Sequence, residues 1–370
     1  MRSSYLKQAV ARYLINTRGL STTQQPKFFL KDIAVPGQLD PQEKALVLVP
    51  YYEKNQKKQC RILIHNKLFK WPEINKLWVS NNPEKVTQPG VLFEGSIKKG
   101  KAIKLLYYHL NDSREDRKLA LVVENRNAQM LKLHLTVGLG GPGKDEVYLG
   151  HLATKRFLNS SLLSEGEYVE VPAFSAKGLF VQNFRSKQIV TGLAKLSLID
   201  GEKALVYLSV VDELSPGGSR LSKVEKKVKE LTRGGVFRGT QRVINKKYML
   251  GNKTKEISIG DKPFVRDERT HHVLKGNYGV QYKILLTLIN PHAEAKTAEV
   301  LFTPAGGIAR GIFIIDGRLK ETAWLKPGGK PSSEVIYSTY LEPREKKDIE
   351  IITQPQAGSY YPVRIGFRES

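Results

Sequence analysis

A single cysteine, Cys60, stands in 370 residues. That excludes an intramolecular disulfide framework and a cysteine-based zinc site. Long apolar runs are missing as well. The longest, such as Leu119–Val123, are strand-length and fall well short of the roughly 18 residues a membrane helix needs. Acids are scarce and dispersed, so no paired carboxylates can be picked out, and no Gly-x-Ser-x-Gly elbow offers a nucleophile. Hydrophobic residues nonetheless make up 40% of the chain, enough to build cores and to exclude a wholly disordered polypeptide.

The scarcity of acids gives the charge its sign. Against 36 Asp+Glu stand 60 Lys+Arg, a net +24, and the summed field of such a surface draws polyanions. Nucleic acid, anionic lipid and anionic wall or capsular polymers are the candidate partners. The basic residues are spread along the chain, so a solvated basic surface is the plainer reading. The first 31 residues hold no acid, and Tyr5, Leu6, Ala9, Val10, Tyr13 and Leu14 recur at helical spacing. Such a segment has the texture of a transit peptide but lacks the continuous apolar stretch of a secretory signal. A short surface helix, or a start inside a longer exported protein, is expected.

After Pro36 the chain reads as strand and turn. Ala45–Tyr51, Arg61–Ile64, Leu119–Val123, Leu131–Val137, Leu205–Val211, Ile284–Ile289 and Glu299–Phe302 are rich in strand formers, with Gly, Pro, Asn and Asp between them. Leu131, Leu133, Leu135 and Val137 alternate with Lys132, His134 and Thr136, which predicts one buried face and one wet face. The chain also repeats. LALVVEN at Leu119–Asn125 matches ILLTLIN at Ile284–Asn290, and Gly140-Gly141 matches Gly306-Gly307, so two similar β-sandwiches are expected. Between the copies, Leu221, Val224, Val228 and Leu231 form a thin apolar stripe. Ser222 and Glu225 suit a capping box, predicting a short linker helix.

Four strings invite chemistry. Gly138, Gly140 and Gly143 satisfy G-x-G-x-x-G, a phosphate cradle only if a helix follows. Asp145–Gly150 reads as another strand, so a Gly-rich hairpin turn is expected. Asp267, Glu268, His271 and His272 crowd together, but Arg266 and Arg269 oppose a cation. His109, beside Tyr107 and Tyr108, reads as a satisfied, half-buried strand histidine, and Cys60 as a small buried hydrophobe. Val236–Met249 and Lys67–Trp78 interleave aromatic and basic residues, a texture of nucleic-acid binders. Trp71 and Trp78 read more simply as core anchors.

Gly90–Asp112, Leu274–Pro291 and Gly306–Gly317 together resemble uncharacterised exported bacterial cell-envelope proteins with paired β-sandwich domains. The resemblance implies an envelope location and transfers no functional residue. These readings predict an all-β protein of two tandem antiparallel, Ig-like β-sandwich domains with a short linker helix. Residues 1–35 form an extension with room for a short helix, 36–213 the first sandwich, 214–270 a basic linker and 271–370 the second sandwich. The expected function is non-enzymatic: an envelope or extracellular interaction or scaffolding protein, meeting anionic cell-surface polymers or other envelope proteins. An intracellular nucleic-acid-binding protein is the alternative. No catalytic, cofactor-binding or metal-binding residue is assigned, no cofactor is expected, and no membrane-spanning segment is read.

Overall fold

Strand-forming alternation dominates the sequence, and the computed structural model is accordingly mostly β, in several largely antiparallel sheets. It describes residues 10, 14, 27–36, 43–65, 72–212 and 234–370. The segment expected to form the linker helix lies outside them. The chain divides into two compact units, Met1–Trp71 with Leu163–Glu167, and Pro72–Leu162 with Tyr168–Ser370. Among the described residues no helix is long and apolar enough to cross a membrane.

The first unit carries β1 (Lys27–Phe28), β2 (Lys44–Glu53) and β3 (Gln56–His65), paired in that order. Phe28, Val47, Val49 and Ile62 form its small core with Ile33 and the helical Val10 and Leu14. Residues 44–65 were expected inside the first sandwich. They have a sheet and a core of their own instead, because β2 pairs with β1 on one side and with β3 on the other.

In the second unit, β4 (Ile74–Ser80), β5 (Lys85–Val86), β6 (Gly90–Lys98), β7 (Ala102–Asn111), β8 (Arg117–Asn125), β9 (Leu131–Gly143), β10 (Glu167–Val171), β11 (Ser175–Phe184), β12 (Ile189–Asp200) and β13 (Lys203–Asp212) form a first half. After it β14 (Gly235–Phe237) completes the first half, and a second half follows with β15 (Gln241–Met249), β16 (Lys255–Ile259), β17 (Gln281–Ile289), β18 (Lys296–Pro304), β19 (Ile312–Ile315), β20 (Arg318–Glu321), β21 (Glu334–Leu341), β22 (Lys346–Thr353) and β23 (Val363–Glu369). The first half's sheets run β10-β9-β12-β7-β4-β14, with β5 on β7, and β11-β8-β13-β6. The second half's run β20-β19-β22-β17-β15 and β21-β18-β23-β16. Moving β4 to β15, and β6–β13 to β16–β23, converts one set of orders into the other. A parallel neighbour recurs as well, β4 beside β7 and β15 beside β17.

The duplication read from the sequence is therefore present, but its register shifts by one strand. Topology matches Asn290, just past β17, with Asn111 at the end of β7, not with Asn125. Asn111 Nδ2 donates to the carbonyls of Glu115 (2.8 Å) and Phe184 (3.0 Å). Asn290 Nδ2 donates to those of Glu294 (2.8 Å), Leu341 (3.2 Å) and Glu342 (3.0 Å). Asn125 ends β8 with the same pattern, which is why the sequence pairs it so readily with Asn290.

Residues 235–270 are not linker. Val236, Phe237, Tyr248, Leu250, Ile257, Ile259 and Val265 are buried, in strands or the segments between them. One core draws on both of the first half's sheets, with Trp78, Leu105, Tyr107, Leu133 and Leu196 from one and Leu121, Val206 and Leu208 from the other. A second core spans the second half and continues onto Leu77, Val79, Leu106, Tyr108 and Leu193, on the outer side of the first half's larger sheet. Shared apolar burial thus joins the two halves.

Strand β9 departs from the expected wet face. Lys132 is exposed, but His134 and Thr136 are 4% exposed. Tyr168 sets its ring edge-on 5.6 Å from His134, and farther along a helix, Glu146–Leu162, lies over the strand.

Candidate functional site

That helix overturns the strand expected over Asp145–Gly150. Its buried side holds Val147, Leu149, Gly150, His151, Ala153, Thr154, Phe157 and Leu158. The glycine string consequently forms no hairpin turn: Gly138, Gly140 and Gly143 lie in β9, in register with β12. A Cβ on Gly138 would strike the Ala153 carbonyl, and one on Gly140 the Leu149 carbonyl. Side chains are absent there because helix backbone rests directly on the strand. A strand–glycine–helix order does suit phosphate, yet Asp145 occupies the helix N-terminus, accepting from the Tyr148 amide at 2.9 Å.

The N-terminal end of this helix opens onto a cleft of about 430 Å³ between the two halves. Its floor is Val79, Ser80, Leu106 and Tyr108 of the first half. Lys275, Tyr278 and the turn Gly358–Tyr361 of the second half form the opposite wall, and Asn81, Glu84 and Glu146 also line it. Tyr108 donates to Glu146 at 2.9 Å. Burial, and then the Glu146 carboxylate, push the Tyr108 phenol well above its usual range. Tyr278 donates to the Ser359 carbonyl at 3.0 Å and meets Tyr361 edge-on at 5.6 Å. Burial raises Tyr361 too.

Glycines seat the rings of this wall. A Cβ on Gly276 would lie 2.5 Å from Tyr278 Cε2, one on Gly260 2.7 Å from Tyr361 Cβ, and one on Gly307 2.8 Å from Tyr360 Cγ. Gly307, singled out in the sequence only as half of a repeat, is thus the seat of Tyr360, which remains 50% exposed.

Beside the cleft the seam carries ionisable groups. Lys104, 1% exposed, donates only to Gln354 Oε1 at 3.4 Å. Burial first, and Lys195 second, lower its ammonium to about 7. His151 Nε2 meets Glu321 at 2.7 Å, and Lys155 meets the same carboxylate at 2.5 Å. Burial lowers the histidine despite that partner.

The residues weighed in the sequence fall apart as a site. Asp267, 3% exposed, accepts from the amides of Val236, Arg269 and Thr270 and from the Thr270 hydroxyl. Glu268 pairs with Lys76 and Arg238. His109 is fully rather than half buried, bonding the Pro83 carbonyl at 2.9 Å and Ser80 Oγ at 3.0 Å, and burial lowers it to about 4. Cys60 is half-buried at the edge of the first unit's core. Trp78 is 2% exposed with its ring 5.3 Å from Phe93. Trp71 lies outside the described residues. In the basic–aromatic string 236–249, Phe237 and Tyr248 are each 1% exposed, so its aromatics face the core and its lysines face water. The cleft itself was not foreseen: its lining comes from segments scattered between Val79 and Tyr361, and no short motif marks it.

No family model and no curated protein matches the chain. Among solved structures it is similar to tripeptidyl peptidase 2 (TM-score 0.20, 10% identity, 90% of this chain), spanning 27% of that protein's length. It is also similar to the tandem CBM22 domains of Paenibacillus barcinonensis Xyn10C (TM-score 0.16, 11% identity, 77% of this chain and 91% of that one). A third likeness is to the PBSX exported protein XepA (TM-score 0.17, 11% identity, 76% and 86%). Scores this low carry no argument about what the chain does.

Proposed function

We propose that this is a non-enzymatic interaction or scaffolding protein of a bacterial cell envelope, whose basic surface meets anionic polymers. Its second unit is read as two β-sandwiches in tandem. The repeated strand orders support a jelly-roll rather than an Ig-like form: the four-stranded sheets run second-ninth-fourth-seventh, and the facing sheets first-third-eighth-fifth-sixth, when each half's nine matched strands are counted from β4 or β15. The observation that carries the functional reading is a group of exposed lysines close in sequence. Lys246 and Lys247 on edge strand β15, with Lys253 and Lys255 just beyond, are all exposed, and no acid among the described residues pairs with them. Such lysines also keep an edge strand from pairing with other chains.

Nucleic acid is the second reading, and the burial of Phe237 and Tyr248 weighs against it, because single-strand binders stack bases on exposed rings. Salt titrations with heparin, DNA, RNA and a teichoic-acid polymer test the choice. The expected result is binding at low salt that fades alike for all four near 0.15 M, where the Debye length is about 8 Å. Replacing the four lysines by alanine should lower the DNA salt slope by about 3. A preference for DNA or RNA persisting at that salt would overturn the reading in favour of nucleic acid. Fractionation of native cells tests the envelope location.

A further inference from the structure

We propose that the cleft between the two halves binds a short segment of neutral oligosaccharide, stacking a sugar ring on Tyr360. The inference is independent of the polyanion reading. It rests first on pre-organisation. Tyr278, Tyr360 and Tyr361 each lie against a glycine, and Tyr278 is also tied by its hydroxyl to Ser359. Rings already fixed lose little freedom when a ligand arrives. Tyr360 keeps half its surface open above Gly307, and an exposed phenol ring suits the flat C–H face of a pyranose.

Charge is the second ground. In a protein of net +24, this cleft is lined by Glu84, Glu146 and Lys275. An anionic polymer gains nothing there. A cationic ligand finds one carboxylate already accepting from Tyr108 and a lysine on the wall. Sugar hydroxyls, which both donate and accept, suit such a mixture: Glu146 accepts, and Lys275 donates. Asn81 adds an acceptor, since its Oδ1 is buried without a partner. Size is the third ground. A volume of about 430 Å³ falls within the roughly 300–1,000 Å³ of small-molecule sites and holds more than one sugar ring.

The test is calorimetric titration of the full chain with four probes: the β-1,4-linked hexaoses of glucose, xylose and N-acetylglucosamine, and the β-1,3-linked hexaose of glucose. At least one should bind with a Kd of about 1 mM or tighter, unchanged as salt rises from about 0.05 to 0.5 M. Tyr360→Ala should weaken it by about tenfold or more at an unchanged melting temperature. Should that variant unfold, Lys275→Ala on the exposed wall must weaken binding by at least about threefold. No binding of any probe at about 5 mM sinks the proposal. So does binding that folded Tyr360→Ala leaves intact. Binding that fades with salt also sinks it, and would place the sugar on the basic surface instead.

Discussion

Two lysines occupy the same place in the two halves and live in opposite surroundings. Lys104 on β7 and Lys283 on β17 each precede their strand-end asparagine by seven residues. Lys104 is 1% exposed, with burial holding its ammonium near 7. Lys283 pairs with Glu350 at 2.5 Å, its side chain 31% exposed. The next outward residues repeat the contrast, Leu106 at 5% against Leu285 at 37%. Strand order is the same, so topology does not decide which face is wet. The connections do. Between β9 and β10 the first half carries the Glu146–Leu162 helix, whereas β19 turns into β20 through Asp316 and Gly317, both at positive φ. The second half's β16–β17 and β22–β23 connections are long, and they supply Val280, Gln354 and Ala357 to the seam. The first half joins its equivalent strands through short turns.

The contrast breaks most sharply at glycine. Gly140→Val should drive the helix off β9 and cost about 3 kcal/mol or more, read as a fall in melting temperature. Gly317→Ala, with nothing near its Cβ but φ at +77°, should cost only about 1 kcal/mol. Equal losses would mean the helix is not what covers the first face.

The asparagines test the shared part. Asn111→Ala and Asn290→Ala should each cost about 2–3 kcal/mol in denaturant unfolding, because buried carbonyls lose their donor. Losses differing by more than about 1 kcal/mol would deny that the two turns are equivalent.

The lysines sharpen it last. Unfolded, Lys104 keeps its proton up to its ordinary 10.5; folded, only up to about 7. Between those values unfolding takes up a proton, so this group's contribution to stability rises with pH across that window. It is flat and least favourable below pH 7. Lys104→Met should therefore stabilise the protein by about 1–2 kcal/mol near neutral pH, the gain vanishing near pH 10.5. Lys283→Met should change stability by less than about 0.5 kcal/mol. A Lys104→Met variant whose gain does not shrink with rising pH would show that the buried amine is charged in the native protein.

The strands were legible because alternation of branched and polar residues is a local signal, and the stretches read as strand on that signal are strands, Asp145–Gly150 being the exception. The helix was not. Gly150, His151, Ala153 and Thr154 on its buried side are small or polar, chosen to let its backbone approach β9, so the apolar spacing that announces a helix is diluted. The repeat was found but set one strand off, since Asn111 and Asn125 both close strands with the same bonds. The wet face expected of β9 failed because period-two patterning reports polarity rather than cover. The cleft was illegible for another reason: Tyr108, Tyr278 and Tyr360 meet only once both halves are folded.

Strand β14 has a consequence for synthesis. Gly235–Phe237 pairs with Leu77–Val79 and closes the outer edge of the first half's larger sheet. All other strands of that half end by Asp212. As the chain leaves the ribosome, this edge is complete except for three residues still to be made. At roughly 5–20 residues per second the exposed edge of β4 waits on the order of 1–5 s for its partner. For that interval a nascent neighbour on the same message competes with β14 for one ladder of hydrogen bonds.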